Sequence, residues 1–332
     1  MTITVYSSLD TGAPALPSVG GQRFIDNLKL ILKACLVDGY GSKPAAGWTV
    51  GHDHADGFSL GNGFGFVNFV STASDAVAVY LMESITDGSS ALAGGYNRRS
   101  GPWFDGQADA GRHYHRGAYF YSTYANKQWC VVADGRTAIL LWYASSTVVD
   151  NDFYTGGLLY VGEYKQALGN AGFCAIGGRA SSNPPYFFDA SDVSGTSLRN
   201  PFDGTVAQGS SPGYRAASIC EGSSAALVNR TKLAPSQLRP VRVAMVGRGA
   251  GVSGSTTVAN DAQCGLLRGL ISEPSLSDVY LSKVLTLLNG SSPAYQDKIR
   301  PVSMPDGSQW VPVYAHVNDR GAFISLAASD WE

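Results

Sequence analysis

Histidine is the residue type with the sharpest chemical pattern in this chain. Of five histidines, four stand as two His-x-His pairs, His52-Asp53-His54 with Asp56 close by, and His113-Tyr114-His115. In an extended strand, residues i and i+2 point to the same face, so each pair can present two imidazoles side by side. His52, His54, His113 and His115, joined by Asp56, would then form an N/O donor set suited to Zn²⁺, Ni²⁺ or Fe. The competing reading makes Gly51–Gly57 (GHDHADG) a solvated turn and places His113 and His115 at a strand start.

Other catalytic patterns fall short. No Gly-x-Ser-x-Gly elbow occurs, and Gly209-Ser210-Ser211-Pro212-Gly213 carries a proline where the elbow must open into a helix. Gly247-Arg248-Gly249-Ala250-Gly251 follows an apolar run but lacks the third spaced glycine of a dinucleotide loop. Carboxylates such as Asp134 and Glu163 are scattered, and Asp150-Asn151-Asp152 lacks the rest of a calcium loop. The sequence therefore predicts a non-enzyme with no cofactor.

Aromatics form the second notable set. Tyr6, Tyr40, Trp48, Trp103, Tyr119 and Tyr121 are candidates for an interface between subunits, and the region around Trp103–Tyr124 could also stack sugars. Alternating aromatics in strands are equally at home half-buried in a sheet. Charged residues are only 15% of the chain, against a usual ~25%, while hydrophobic residues reach 44%. Such a neutral, Tyr-bearing exterior suits lasting contact with other proteins, because interface cores lose charge and gain rings. A net charge of −2 without like-charge blocks argues against nucleic-acid binding. No apolar run approaches the ~18 residues of a membrane helix, and MTITVYSSLD has no secretory n-region or h-region. Folding in a cytoplasm is the expectation. Cys35, Cys130, Cys174, Cys220 and Cys264 are far apart and sit mostly among apolar neighbours, which reads as small buried hydrophobes.

The elements that must position these residues read as mainly β (α+β): antiparallel sheets in a sandwich-like core, one long N-terminal amphipathic helix and a short C-terminal helix. Four stretches are expected: an extended arm over 1–17, a helix plus β-rich core over 18–189, a Gly/Ser/Pro-rich surface excursion over 190–236, and a β part over 237–332 completing the core. The long helix spans Ser18–Asp38, with Phe24, Leu28, Ile31, Leu32, Cys35 and Leu36 on one stripe. Ser18 would cap it, Gly39 would end it at positive φ, and Asn27, Lys29 and Lys33 would face solvent. Leu276–Leu288 fits the shorter helix.

Strands are predicted at 63–70, 76–83, 115–123, 158–164, 185–189 and 241–246. Lys127–Val132 and Thr137–Tyr143 form a hairpin around Asp134-Gly135. Trp310–Val317 and Ala322–Ala327 form another around Asn318–Gly321. Thr137–Tyr143 is apolar on both faces and so predicts a central strand covered on both sides.

Two segments carry a resemblance. Val5-Tyr6-Ser7-Ser8-Leu9-Asp10-Thr11-Gly12-Ala13-Pro14 and Leu36-Val37-Asp38-Gly39-Tyr40-Gly41-Ser42-Lys43-Pro44-Ala45-Ala46-Gly47-Trp48-Thr49 resemble the opening motifs of a family of tailed-bacteriophage virion proteins. Gly156–Tyr164 (GGLLYVGEY) and Leu266–Pro274 (LLRGLISEP) are similar to later segments of the same family. The resemblance implies a structural virion component: tail- or baseplate-associated first, capsid-exterior second, in contact with other virion proteins and with copies of itself. A tail module recognising a cell-surface glycan, and a metal enzyme built on the His pairs, are the alternatives. Read on its own physics, the second motif is a helix end followed by a rigid connector, stiffened by Pro44 and fixed by Trp48.

Overall fold

A computed structural model describes residues 2–16, 23–73, 76–85, 113–116, 128–143, 156–177, 196–198, 213–217, 238–246, 262–272, 299–315 and 320–332. The predicted strand at 185–189, the helix at Leu276–Leu288, Cys220, and the aromatics Trp103, Tyr119 and Tyr121 lie outside them.

The described chain is mainly β, all antiparallel. The strands are β1 (Thr4–Ser7), β2 (Thr49–His54), β3 (Gly57–Gly61), β4 (Phe66–Ala73), β5 (Ala76–Met82), β6 (His113–Arg116), β7 (Gln128–Ala133), β8 (Thr137–Tyr143), β9 (Gly156–Gln166) and β10 (Ala171–Ile176). They continue with β11 (Thr196–Leu198), β12 (Gly213–Ala217), β13 (Arg239–Val246), β14 (Ala262–Ser272), β15 (Val302–Ser303), β16 (Gln309–Ala315) and β17 (Arg320–Ser325). A twelve-stranded sheet runs β1-β7-β8-β9-β14-β17-β16-β15, with β10–β11 branching from β9 and β12–β13 from β14. It bends into a half-barrel. A five-stranded sheet runs β2-β3-β4-β5-β6.

The period-two alternation of β7, β8 and β9 divides their side chains between two cores. Cys130, Val132, Ile139, Leu141 and Tyr160 face one core, which the sheet's bend shares with Leu267, Val311, Ile324 and Trp331. Val131, Ala133, Ala138, Leu140, Leu159 and Val161 face the other, shared with the helix and the inner face of the five-stranded sheet. β8 is thus buried on both faces between β7 and β9, as its two-sided apolar run predicts.

One helix is described, and it is shorter than expected. α1 (Phe24–Lys33) continues as a π-helical turn over Ala34–Asp38. Its start is set by Arg23 in extended conformation, whose backbone N–H donates to the Asp26 carboxylate at 3.3 Å, so the cap is not Ser18, which lies outside the described residues. The apolar stripe is as predicted, with Phe24, Leu28, Ile31, Leu32, Cys35 and Leu36 all buried. Asn27, expected at the surface, is buried too, since it lies one position from Leu28 on a helix packed between two sheets. Gly39 ends the helix at φ +74° and ψ 169°, positive but outside the left-handed helical basin, a region open essentially to glycine.

In the stretch read as an extended arm, β1 pairs with β7 from Thr4↔Ala133 to Ser7↔Cys130. Within 190–236, β11 pairs with β10 and β12 with β13, so the stretch supplies two strands to the large sheet. Cys35, Cys130, Cys174 and Cys264 are buried thiols. Among the described residues, no helix is long and apolar enough to cross a membrane.

Candidate functional site

The histidine pairs are placed by the five-stranded sheet, and they are placed apart. β2 and β6 are its two edge strands, with β3, β4 and β5 between them. His52 and His54 stand on β2 opposite Ser59 and Gly57. His113 and His115 stand on β6 opposite Val79 and Val77. At ~4.8 Å per strand step, about 19 Å separates the two edges, whereas ligands of one ion sit within ~2–2.2 Å of it. The four histidines therefore do not form a composite site. Among the described residues no three His, Cys, Asp or Glu side chains group as a metal site.

The acids near His52 and His54 are already engaged. β2 runs through His54 and turns at Ala55-Asp56 into β3, so this segment is a hairpin rather than a free turn. Lys29, reaching from α1, donates to Asp53 at 2.7 Å and to the His54 carbonyl at 2.7 Å, and Lys33 lies 3.8 Å from Asp53. Arg23 pairs with Asp56 and donates to the Ala55 carbonyl at 2.6 Å. The Lys29 hydrogen bond holds the Asp53 carboxyl below its ordinary range, and the Arg23 hydrogen bond does the same for Asp56. His54 Nδ1 accepts the Asp56 backbone N–H at 3.1 Å. These groups fasten the helix to the hairpin tip, and a metal would have to displace them.

The opposite face of the hairpin holds a polar row that the sequence gives no sign of. His52, Ser59, Asn68 and Tyr80 are successive cross-strand partners across β2–β5. Ser59 Oγ accepts the His52 backbone N–H at 2.9 Å. The Asn68 amide donates to Met82 Sδ at 3.1 Å.

The quoted motifs at 5–14 and 36–49 meet as one unit. Tyr6, fully buried, donates to the Pro44 carbonyl at 2.6 Å. Tyr40 Oη donates to Asp10 at 2.9 Å and accepts the Ser7 N–H at 3.1 Å, and its ring lies 5.9 Å from that of Tyr6. Lys43 Nζ donates to the Val5 carbonyl at 2.9 Å and lies 3.8 Å from Asp10. Gly41, at φ +53°, is packed so closely on Thr11 that any Cβ would collide with its carbonyl. Trp48, 3% exposed, donates through Nε1 to the Asp134 carbonyl at 3.0 Å. Tyr6 and Trp48 are core residues of their own chain, and half-buried Tyr40 is bonded within it, which removes Tyr6 and Trp48 from the set able to face a partner.

The most demanding electrostatics lie elsewhere. β14 pairs with β9 through Leu267 and with β17 from Leu270, so its neighbour changes at Arg268-Gly269. Into that break Arg268, 3% exposed, points its guanidinium at Asp134, 0% exposed, with contacts of 2.7 and 3.3 Å. It also donates to Thr137 Oγ1 at 2.6 Å and to the Trp331 carbonyl. Its backbone N–H donates to Tyr160 Oη at 3.0 Å, and Tyr160 donates to the Glu163 carbonyl at 2.6 Å. Glu163 pairs with Arg136. Asp134 and Glu163, scattered in sequence, thus belong to one network. The only local sign of it is an arginine inside an apolar strand, Leu266-Leu267-Arg268-Gly269-Leu270-Ile271.

No family model matches the chain, and no curated protein sequence matches it.

Every charged group just described has a partner that locks two elements together: helix to hairpin, β1 to connector, C-terminus to the β7–β8 turn. The arrangement positions backbone.

Proposed function

We propose that this chain is a structural subunit of a tailed-phage particle, tail- or baseplate-associated, assembling with copies of itself and with other virion proteins. The observation that carries the reading is the interlock of the two motif segments. The residues that carry the resemblance, Tyr6, Asp10, Tyr40, Lys43 and Trp48, spend their polar groups on one another and on the sheet. A segment of that kind specifies a shape to be packed against. The separation of the His pairs on opposite sheet edges speaks in the same direction, because it leaves the four histidines without a common metal site.

Antibody raised against the chain should label purified particles of the phage that encodes it, at one position and in a symmetric pattern. Light scattering of the isolated protein should give an oligomer. Particles that contain none of it would overturn the proposal.

A further inference from the structure

Among the described residues the large sheet ends at β1, and an exposed strand edge is a template for pairing with another chain. Antiparallel pairing turns the N–H and C=O of alternate residues toward and away from the neighbour. Ser8 N–H donates to the Trp129 carbonyl at 3.0 Å, which fixes the alternation, so Val5 and Ser7 direct their backbone groups away from β7, along the outer edge.

Side chains of the connector occupy that edge. Lys43 Nζ sits on the Val5 carbonyl at 2.9 Å. The Ser7 N–H is taken by the Asp10 carboxylate at 2.8 Å and by Tyr40 Oη at 3.1 Å. Tyr40 Oη also lies 3.4 Å from the Ser7 carbonyl. An incoming strand would need these same three backbone groups. The other described path end, β15, is two residues long, and the edge strand β2 of the small sheet is interrupted by a bulge between Val50 and His52. Both are ordinary ways of blunting an edge.

We infer that Asp10, Tyr40 and Lys43 form an edge cap that keeps a second copy of this chain from adding a strand to β1. Assembly is thereby directed to other surfaces, and this holds whatever the protein's partners are.

The test is the variant Asp10→Ala/Tyr40→Phe/Lys43→Ala, with and without Val5→Pro. Proline has no N–H and is tolerated where that N–H points off a sheet edge, so it blocks strand addition without disturbing the β1–β7 ladder. The uncapped variant should show at least a doubling of the parent's mass by light scattering as concentration rises, and Val5→Pro should restore the parent's mass. A folded uncapped variant that keeps the parent's mass overturns the inference, as does association that survives Val5→Pro. Hydrogen exchange of the unmodified protein gives an independent reading that does not depend on the variants folding. The Ser7 amide should exchange at least tenfold more slowly than an unprotected amide, and exchange at the unprotected rate would mean that the edge is not capped.

Discussion

Replacing Arg268 with methionine tests how much of the fold hangs on one buried charge pair. The change keeps most of the side chain's apolar length and removes both contacts to Asp134, together with the bonds to Thr137 and to the Trp331 carbonyl. Asp134 keeps two backbone donors, the N–H groups of Arg136 at 2.8 Å and Thr137 at 2.7 Å, but its carboxylate is left fully buried without a cation. Breaking a buried pair from one side costs about 3–5 kcal/mol, a large part of a total stability of about 5–15 kcal/mol. In melting temperature this is a drop of about 4–7 °C for a chain of this length. Urea unfolding followed by tryptophan fluorescence reads it directly, since the Trp331 ring lies 5.9 Å from the guanidinium. Asp134→Asn strands the opposite charge and should cost a similar amount. The double variant should be less destabilised than the sum, with a coupling of roughly 0.5–3 kcal/mol. If Arg268→Met unfolds within about 1 kcal/mol of the parent, a loss typical of a solvated ion pair, the reasoning from burial is wrong.

Gly269→Ala should destabilise by about 2–4 kcal/mol, because φ is +69° and the new Cβ would collide with the Trp331 ring; thermal melting monitored by circular dichroism checks it. Tyr6→Phe leaves the Pro44 carbonyl without its donor and should cost about 0.5–1.5 kcal/mol in the same assay. Burial, the largest cause, pushes the Tyr6 phenol from 10.0 to about 12 and raises Tyr40 as well. A phenol whose folded pKa lies above its unfolded one contributes stability that is intact below pH 10 and lost as pH climbs toward and past 12. Base-induced unfolding should therefore begin in that window and coincide with the rise of phenolate absorbance, and a stability curve flat up to pH 12 would contradict it.

What the sequence made legible is what local pattern controls. The Asp134-Gly135 turn with its flanking apolar runs gave β7 and β8, and the two-sided run Thr137–Tyr143 gave a strand with neighbours on both sides. The stripe from Phe24 to Leu36 gave the helix face, although the helix start passed from Ser18 to Arg23, a residue that N-cap preferences do not favour, with Asp26 accepting its backbone N–H. Strand β14 was hidden because Leu266–Ile271 is apolar on both faces and broken by Arg268-Gly269, so neither period shows. The β2–β3 hairpin was hidden because its two-residue turn lies inside the polar run GHDHADG. The His pairs illustrate the deeper limit: spacing within each pair is local, but their separation depends on three strands that pair between them.

The charge economy of the chain gains a physical explanation from these contacts. With only 15% charged residues, the protein still commits Arg268 and Asp134 to a site without solvent, and Lys43, Asp10, Lys29 and Arg23 to backbone or to each other. A buried pair of this kind adds little net stability over an apolar replacement. What it does contribute is direction: a guanidinium that must find Asp134, Thr137 and the Trp331 carbonyl together allows one position for the C-terminal segment against the β7–β8 turn. The edge cap acts in the same sense at the other end of the sheet, by excluding one mode of self-association. The Arg268–Asp134 pair at the sheet's break and the Asp10, Tyr40 and Lys43 side chains at its edge thus specify one shape and block one contact, which is a different contribution from a further increment of stability.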